Sequence, residues 1–101
     1  MDRGFQKENL YLLPARLILM RLDDYLSTVG IIKRPTIAKE LASNGMVTVE
    51  GRKVKAAYQV RLNDIIEIRG KRSFKAEVLE IPSGSVPKDE RARYFKELPV
   101  S

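Results

Sequence analysis

No cysteine, no histidine and no tryptophan occur in this chain of 101 residues. Without cysteine there is neither a disulfide framework nor a thiol nucleophile, and without histidine there is no imidazole for a triad or a Cys/His zinc site. Glycine-rich phosphate loops are missing as well: Gly30, Gly45, Gly51, Gly70 and Gly84 each stand alone at a boundary between patterned segments. No apolar run approaches the roughly 20 residues of a membrane-spanning helix, and no membrane partner is expected. Residues 1–19 lack the charged start, continuous apolar middle and small-residue cleavage site of a secretory leader, so none is assigned. What remains is a globular composition, 44% hydrophobic and 32% charged, of a length that suits one domain.

The formal charge is +6, and its distribution says more than its sum. Residues 33–75 hold eleven basic and four acidic side chains, whereas the rest of the chain holds eight basic and nine acidic. The excess falls in three clusters, at 33–39, 52–61 and 69–75, none of which contains an acidic residue. Such patterning favours a polyanionic partner, although isolated Lys and Arg also serve solubility and guard strand edges.

Hydrophobic spacing divides the chain into a helical part and a strand part. Leu22, Leu26 and Val29 fall at i, i+4 and i+7 before Gly30, which predicts an amphipathic helix over 21–29. Pro35 suits the first position of a second helix, with Ile37, Ala38, Leu41 and Ala42 as its apolar stripe and Asn44-Gly45 as its stop. From Met46 the period becomes that of strands, with turns at Glu50-Gly51 and Asn63-Asp64 and alternation through Phe74, Ala76 and Val78. Pro82 to Ser85 reads as a linker, and Pro87 as the start of a last helix with Ala92, Tyr94, Phe95 and Leu98 on one side.

Candidates for catalysis are few. Asp23 and Asp24 are neighbours, about 100° apart on a helix, and cannot face one site as an acid–base pair. Their place in a first helical turn suits the dipole instead. Binding of nucleic acid is better supported: Lys33-Arg34-Pro35-Thr36 gathers two cations and free amides at the start of the second helix, and Lys39 extends them along its exposed side. Tyr58, the single aromatic residue between the basic clusters, reads as partly buried core rather than a stacking platform. Recognition of phosphates and shape in a folded RNA is the remaining mode.

Four short motifs in order, Arg21-Leu22-Asp23-x-x-Leu26, Lys33-Arg34-x-Thr36-x-Ala38-x-x-Leu41, Gly45-x-Val47-x-Val49-x-Gly51 and Val60-x-x-x-Asp64-x-Ile66, resemble the S-four RNA-binding domain family over about residues 20–68. The resemblance implies an α+β fold, two short helices packed on a small antiparallel sheet with a short C-terminal helix. It divides the chain into an extension at 1–19 without assigned function, since family chains begin near Met20, the domain at 20–81, and a linker and helix at 82–101.

By position, the resemblance makes Arg21, Lys33, Arg34, Thr36 and Lys39 the first RNA contacts, joined by Arg52, Lys53 and Lys55 from the strand turn. This chain departs from the family at Pro35, where arginine is usual, at Glu50, where asparagine is usual, and at Asn63, where glycine is usual. The small bacterial members to which it is most similar imply a cytoplasmic, non-catalytic protein, monomeric when free. Their partners are ribosomal RNA of the large subunit and peptidyl-tRNA, and no cofactor or metal is expected. Other readings are an accessory domain of an RNA-modifying enzyme, for which the length leaves no catalytic domain, a ribosome-assembly factor, or a protein-interaction module using Tyr94, Phe95 and Leu98.

Overall fold

The computed structural model describes residues 19–70 and 73–100. The expected extension, except for Leu19, and the Lys71-Arg72 part of the third basic cluster lie outside the described residues. Two α-helices, α1 (Leu22–Thr28) and α2 (Pro35–Ser43), precede strands β1 (Val47–Val49), β2 (Arg52–Lys53), β3 (Ile65–Ile68) and β4 (Phe74–Val78); a 3-10 helix (Lys88–Arg93) and strand β5 (Phe95–Leu98) follow. The strands form one sheet in the order β2-β1-β3-β4-β5, with every neighbouring pair antiparallel. Among the described residues no helix is long and apolar enough to cross a membrane.

Seven residues are too few for a free-standing helix, and α1 is held from outside. Leu22, Tyr25 and Leu26 are buried along one side, with Val29 at its end. Two amides of its first turn, which a helix leaves without internal partners, donate to a neighbouring loop: Leu22 N–H to the Tyr58 carbonyl at 2.7 Å and Asp23 N–H to the Ala56 carbonyl at 3.2 Å. Gly30 then takes the left-handed conformation, φ 82°, and ends the helix as its position predicts.

Pro35 opens α2 as expected, and Arg34 before it has extended backbone. Ala38 and Ala42 are buried and Leu41 is half-buried, but Ile37 is 43% exposed. At 100° per residue Ile37 lies to one side of the Ala38–Leu41–Ala42 stripe, which is too narrow to cover it.

In the sheet, Val47, Val49, Ile66, Ile68, Ala76 and Val78 point into the core and their neighbours point away. The β1–β2 turn has two left-handed residues, Glu50 at φ 53° and Gly51 at φ 82°, the combination that suits a two-residue hairpin. Glu50 is an unusual occupant, and it is anchored twice to Ile65: its N–H donates to the Ile65 carbonyl and its carboxylate accepts the Ile65 N–H, both at 2.9 Å. The turn before β3 has Asn63 at φ 71°. Asp64, buried behind it, accepts from the Tyr58 hydroxyl and from Arg61 N–H, both at 2.8 Å.

The C-terminal segment differs from the expectation in part. A short helix does begin after Pro87, of 3-10 type, but Phe95 and Leu98 continue as a strand instead of forming its apolar side. The free edge of β4 supplies the reason: Phe95 pairs with Val78 and meets Phe74 edge-to-face at 6.1 Å, burying more apolar surface than a short solvated helix would. The Tyr94 carbonyl accepts from Leu79 N–H, from Glu80 N–H and from the Tyr25 hydroxyl, the last at 2.9 Å, so this segment is tied to both β4 and α1.

Ile66 is 1% exposed at the centre of the sheet. Ile66→Ala is expected to lower the unfolding free energy by about 2–5 kcal/mol, read as a lower urea midpoint at unchanged slope.

Candidate nucleic-acid interface

The two sides of the sheet differ in charge. On the side away from the helices, the cross-strand rows Lys53–Thr48–Glu67–Lys75 and Ile65–Glu77–Lys96 carry two carboxylates and three ammonium groups, Lys53 standing at the outer edge and reaching back toward Gly45. A depression of about 390 Å³ on this side is lined by Thr48, Glu50, Gly51, Ile65, Glu67 and Lys75, two acids against one base. Across β3 to β5 the acids offset the bases, and Lys75 faces Glu67 directly rather than another basic cluster.

Lys33, Arg34, Thr36 and Lys39 are all exposed. With Ala38 and Ala42 facing the core, Thr36, Lys39 and Ser43 line up on the outer side of α2, one turn after another. Lys33 and Arg34 stand at its start. The amides there are fewer than the sequence suggests: Pro35 has none, and Ile37 and Ala38 both donate to the Arg34 carbonyl, at 3.1 and 3.2 Å. Among the described residues this leaves Thr36 N–H to meet an anion, so the attraction at this point comes mainly from the two side chains. Pro35 costs the helix nothing, because the first amide has no internal acceptor in any case.

The remaining candidates fall at two other places. Lys53 runs across the far end of α2, its Cδ, Cε and Nζ within 3.4–3.5 Å of where a β-carbon on Gly45 would be. A cation there complements the negative end of the helix dipole, and nine residues at 1.5 Å rise put it about 14 Å from the Lys33–Arg34 end. Arg52 pairs with Val49 and therefore projects from the helix side of the sheet edge. Arg69, which the family motifs do not single out, donates its N–H to the Met46 carbonyl at 2.8 Å, so its backbone lies beside the residue that follows Gly45. Its place follows from the pairing of β1 with β3, a long-range fact without a local signal.

Arg21 and Lys55 lie together at the start of α1. Arg21 bridges to Gln59, and Lys55 belongs to the turn that ends at Tyr58, whose carbonyl holds Leu22. Arg21 is partly committed within the protein, because its guanidinium donates to both carboxylate oxygens of Asp23 at 3.1 and 3.2 Å. The hydrogen bond and charge of Asp23 raise the Arg21 pKa further above its ordinary value. Asp23 is 7% exposed and also accepts the Asp24 N–H. It is a buried partner for Arg21, a stronger role than the dipole alone assigns. Arg21 keeps 48% of its side-chain surface open to solvent.

Tyr58 is half-buried, as its lone position predicts, and burial together with the Asp64 hydrogen bond pushes its phenol up to about 12. Burial raises Tyr25 as well. A phenol whose pKa is higher folded than unfolded contributes stability that is complete below about pH 10 and disappears as pH rises through the folded value. Unfolding free energy is therefore expected to fall between about pH 10 and 12, and less steeply in Tyr58→Phe. Asp64→Ala leaves two donors without their acceptor and is expected to cost about 1–3 kcal/mol in urea unfolding.

Comparison with known proteins bears on the family and the fold. The sequence profile of the S4 domain matches residues 20–66. The RQC P-site tRNA stabilizing factor of Streptococcus pneumoniae is 40% identical over 76 residues, 74% of this chain and 86% of that protein. The protein of the same name from Bacillus subtilis is 34% identical over 77 residues, 75% and 88% of the two chains. The trimeric structure of Vibrio cholerae Heat Shock Protein 15 shares the fold at a TM-score of 0.73 and 21% identity, covering 79% of this chain and 82% of that one. From motif order, helix pair, sheet and relatives alike, the chain belongs to the S4 domain family.

Proposed function

We propose that this chain is a non-catalytic RNA-binding protein acting in the cytoplasm, in ribosome quality control, on the large ribosomal subunit. Its targets are structured ribosomal RNA and a tRNA held in the P site. The observation that carries this reading is the exposed basic side of α2, Lys33, Arg34 and Lys39 with Thr36, in a chain whose relatives are named for stabilizing a P-site tRNA. The reading makes these four the central contacts, Lys53 and Arg52 a second group beyond the far end of α2, and Arg21 and Lys55 a third at the start of α1.

Cations about 14 Å apart along one helix meet separate phosphates, which fixes the orientation of a folded RNA without reading its bases. Arg34, on extended backbone before Pro35, reaches its phosphate from outside the helix, and that explains how the site tolerates proline where relatives in the family carry arginine. No acid, base or nucleophile takes part. The protein acts by occupying a surface and holding what lies on it.

Exchanging Arg34 and Lys39 for Glu together is expected to abolish co-sedimentation with large subunits while circular dichroism and thermal midpoint stay unchanged. Single exchanges are expected to lower the slope of log affinity against log salt by roughly one per lost phosphate contact. Unchanged co-sedimentation of the double variant contradicts the reading.

A further inference from the structure

Arg91 takes part in none of these contacts, yet its surroundings are unusual. It lies in the 3-10 helix and is partly buried, and its Nε is buried without a hydrogen-bond partner among the described residues. Unpaired buried donors are rare and call for a reason. The side chain is laid against Gly30 so closely that a β-carbon there would come within 2.8 Å of Arg91 Cδ and 2.9 Å of its Nη1.

Gly30 is the hinge between α1 and the loop at 31–34, which carries Lys33 and Arg34. Two hydrogen bonds set the inner path of that loop, Gly30 N–H to the Ser27 carbonyl at 3.2 Å and Ile32 N–H to the Leu26 carbonyl at 3.0 Å. Arg91 closes the opposite side. It is itself held, because the Tyr94 carbonyl binds Tyr25 and the following strand pairs with β4. Its cation also stands at the carbonyl end of α1, where positive charge is favoured.

We propose that Arg91 is a positioning residue: packed on Gly30, it fixes the 30–34 loop and so the aim of Lys33 and Arg34, without touching RNA. The inference rests on the reading of Lys33 and Arg34 as RNA contacts. It gives the C-terminal segment, which lies beyond the residues matched by the S4 profile, a part in binding. Retained charge alone is not enough, because the role belongs to the planar group filling the space over Gly30.

The test uses the full chain as Arg91→Ala, Arg91→Lys, Gly30→Ala and, as a control for lost stability, Val49→Ala, a buried β1 residue away from the 30–34 loop. Amide hydrogen exchange without RNA and affinity for large subunits are measured for each. In Arg91→Ala, exchange at residues 31–33 is expected to rise about tenfold relative to Ile66 and Ile68, and affinity to fall about tenfold. Arg91→Lys is expected to restore neither, and Gly30→Ala, which displaces the guanidinium and also strains the left-handed backbone, to raise loop exchange at least as much. Val49→Ala is expected to lower the thermal midpoint with both readouts near those of the unaltered chain. Unchanged loop exchange in Arg91→Ala overturns the proposal, as does full rescue by Arg91→Lys, which marks a direct phosphate contact. If the unaltered chain fails to bind subunits, the RNA reading falls, while loop exchange still decides whether Arg91 fixes the loop.

Discussion

The fold depends on keeping a helix of seven residues in place. Left alone α1 would not form, since nucleation consumes most of what so short a helix can gain. It persists because its ends are satisfied by distant parts of the chain: the 56–58 carbonyls take its first amides, and the Tyr25 hydroxyl from its buried side closes on Tyr94. These contacts are also what organise the basic surface. The loop that receives the start of α1 brings Lys55 toward Arg21, and the end of α1 at Gly30 launches the segment bearing Lys33 and Arg34.

Charge is sorted by the same packing. Small side chains at Ala38 and Ala42 seat α2 against the core, so Thr36, Lys39 and Ser43 are left on the outer side. On the opposite side of the sheet, β3 to β5 set Glu67 and Glu77 against Lys75 and Lys96, and Lys53 at the β2 edge is the further cation of those rows. A net charge that as a sum says only that some polyanion is favoured is thus given places in the fold. Glu40 is the one acid on α2, a residue away from Lys39 and turned about 100° from it.

Much of this is legible in the sequence because the signals are local. Apolar spacing over Leu22, Leu26 and Val29 gives α1 to within a residue at each end, and the left-handed turns at Gly30, Gly45 and Gly51 stand where isolated glycines suggest them. Burial of Tyr58 follows from its lone position. Other features have no local signal. Tyr94, Phe95 and Leu98 are spaced compatibly with a helix or a strand, and only the open edge of β4 decides for the strand. Asp23 reads as a dipole partner until its burial beneath Arg21 is seen, and the shortage of free amides at α2 depends on where the Arg34 carbonyl points. The placing of Arg69 beside Met46 requires the register of β1 on β3.

The central claim is that the side bearing Lys33, Arg34 and Lys39 meets RNA of the large subunit together with a tRNA. Crosslinking the protein to RNA in cells and sequencing the attached fragments addresses it most directly. The account predicts reads from large-subunit RNA and from tRNA, both lost when Arg34 and Lys39 are reversed in charge. Reads confined to the small subunit, or unaffected by that reversal, would contradict it.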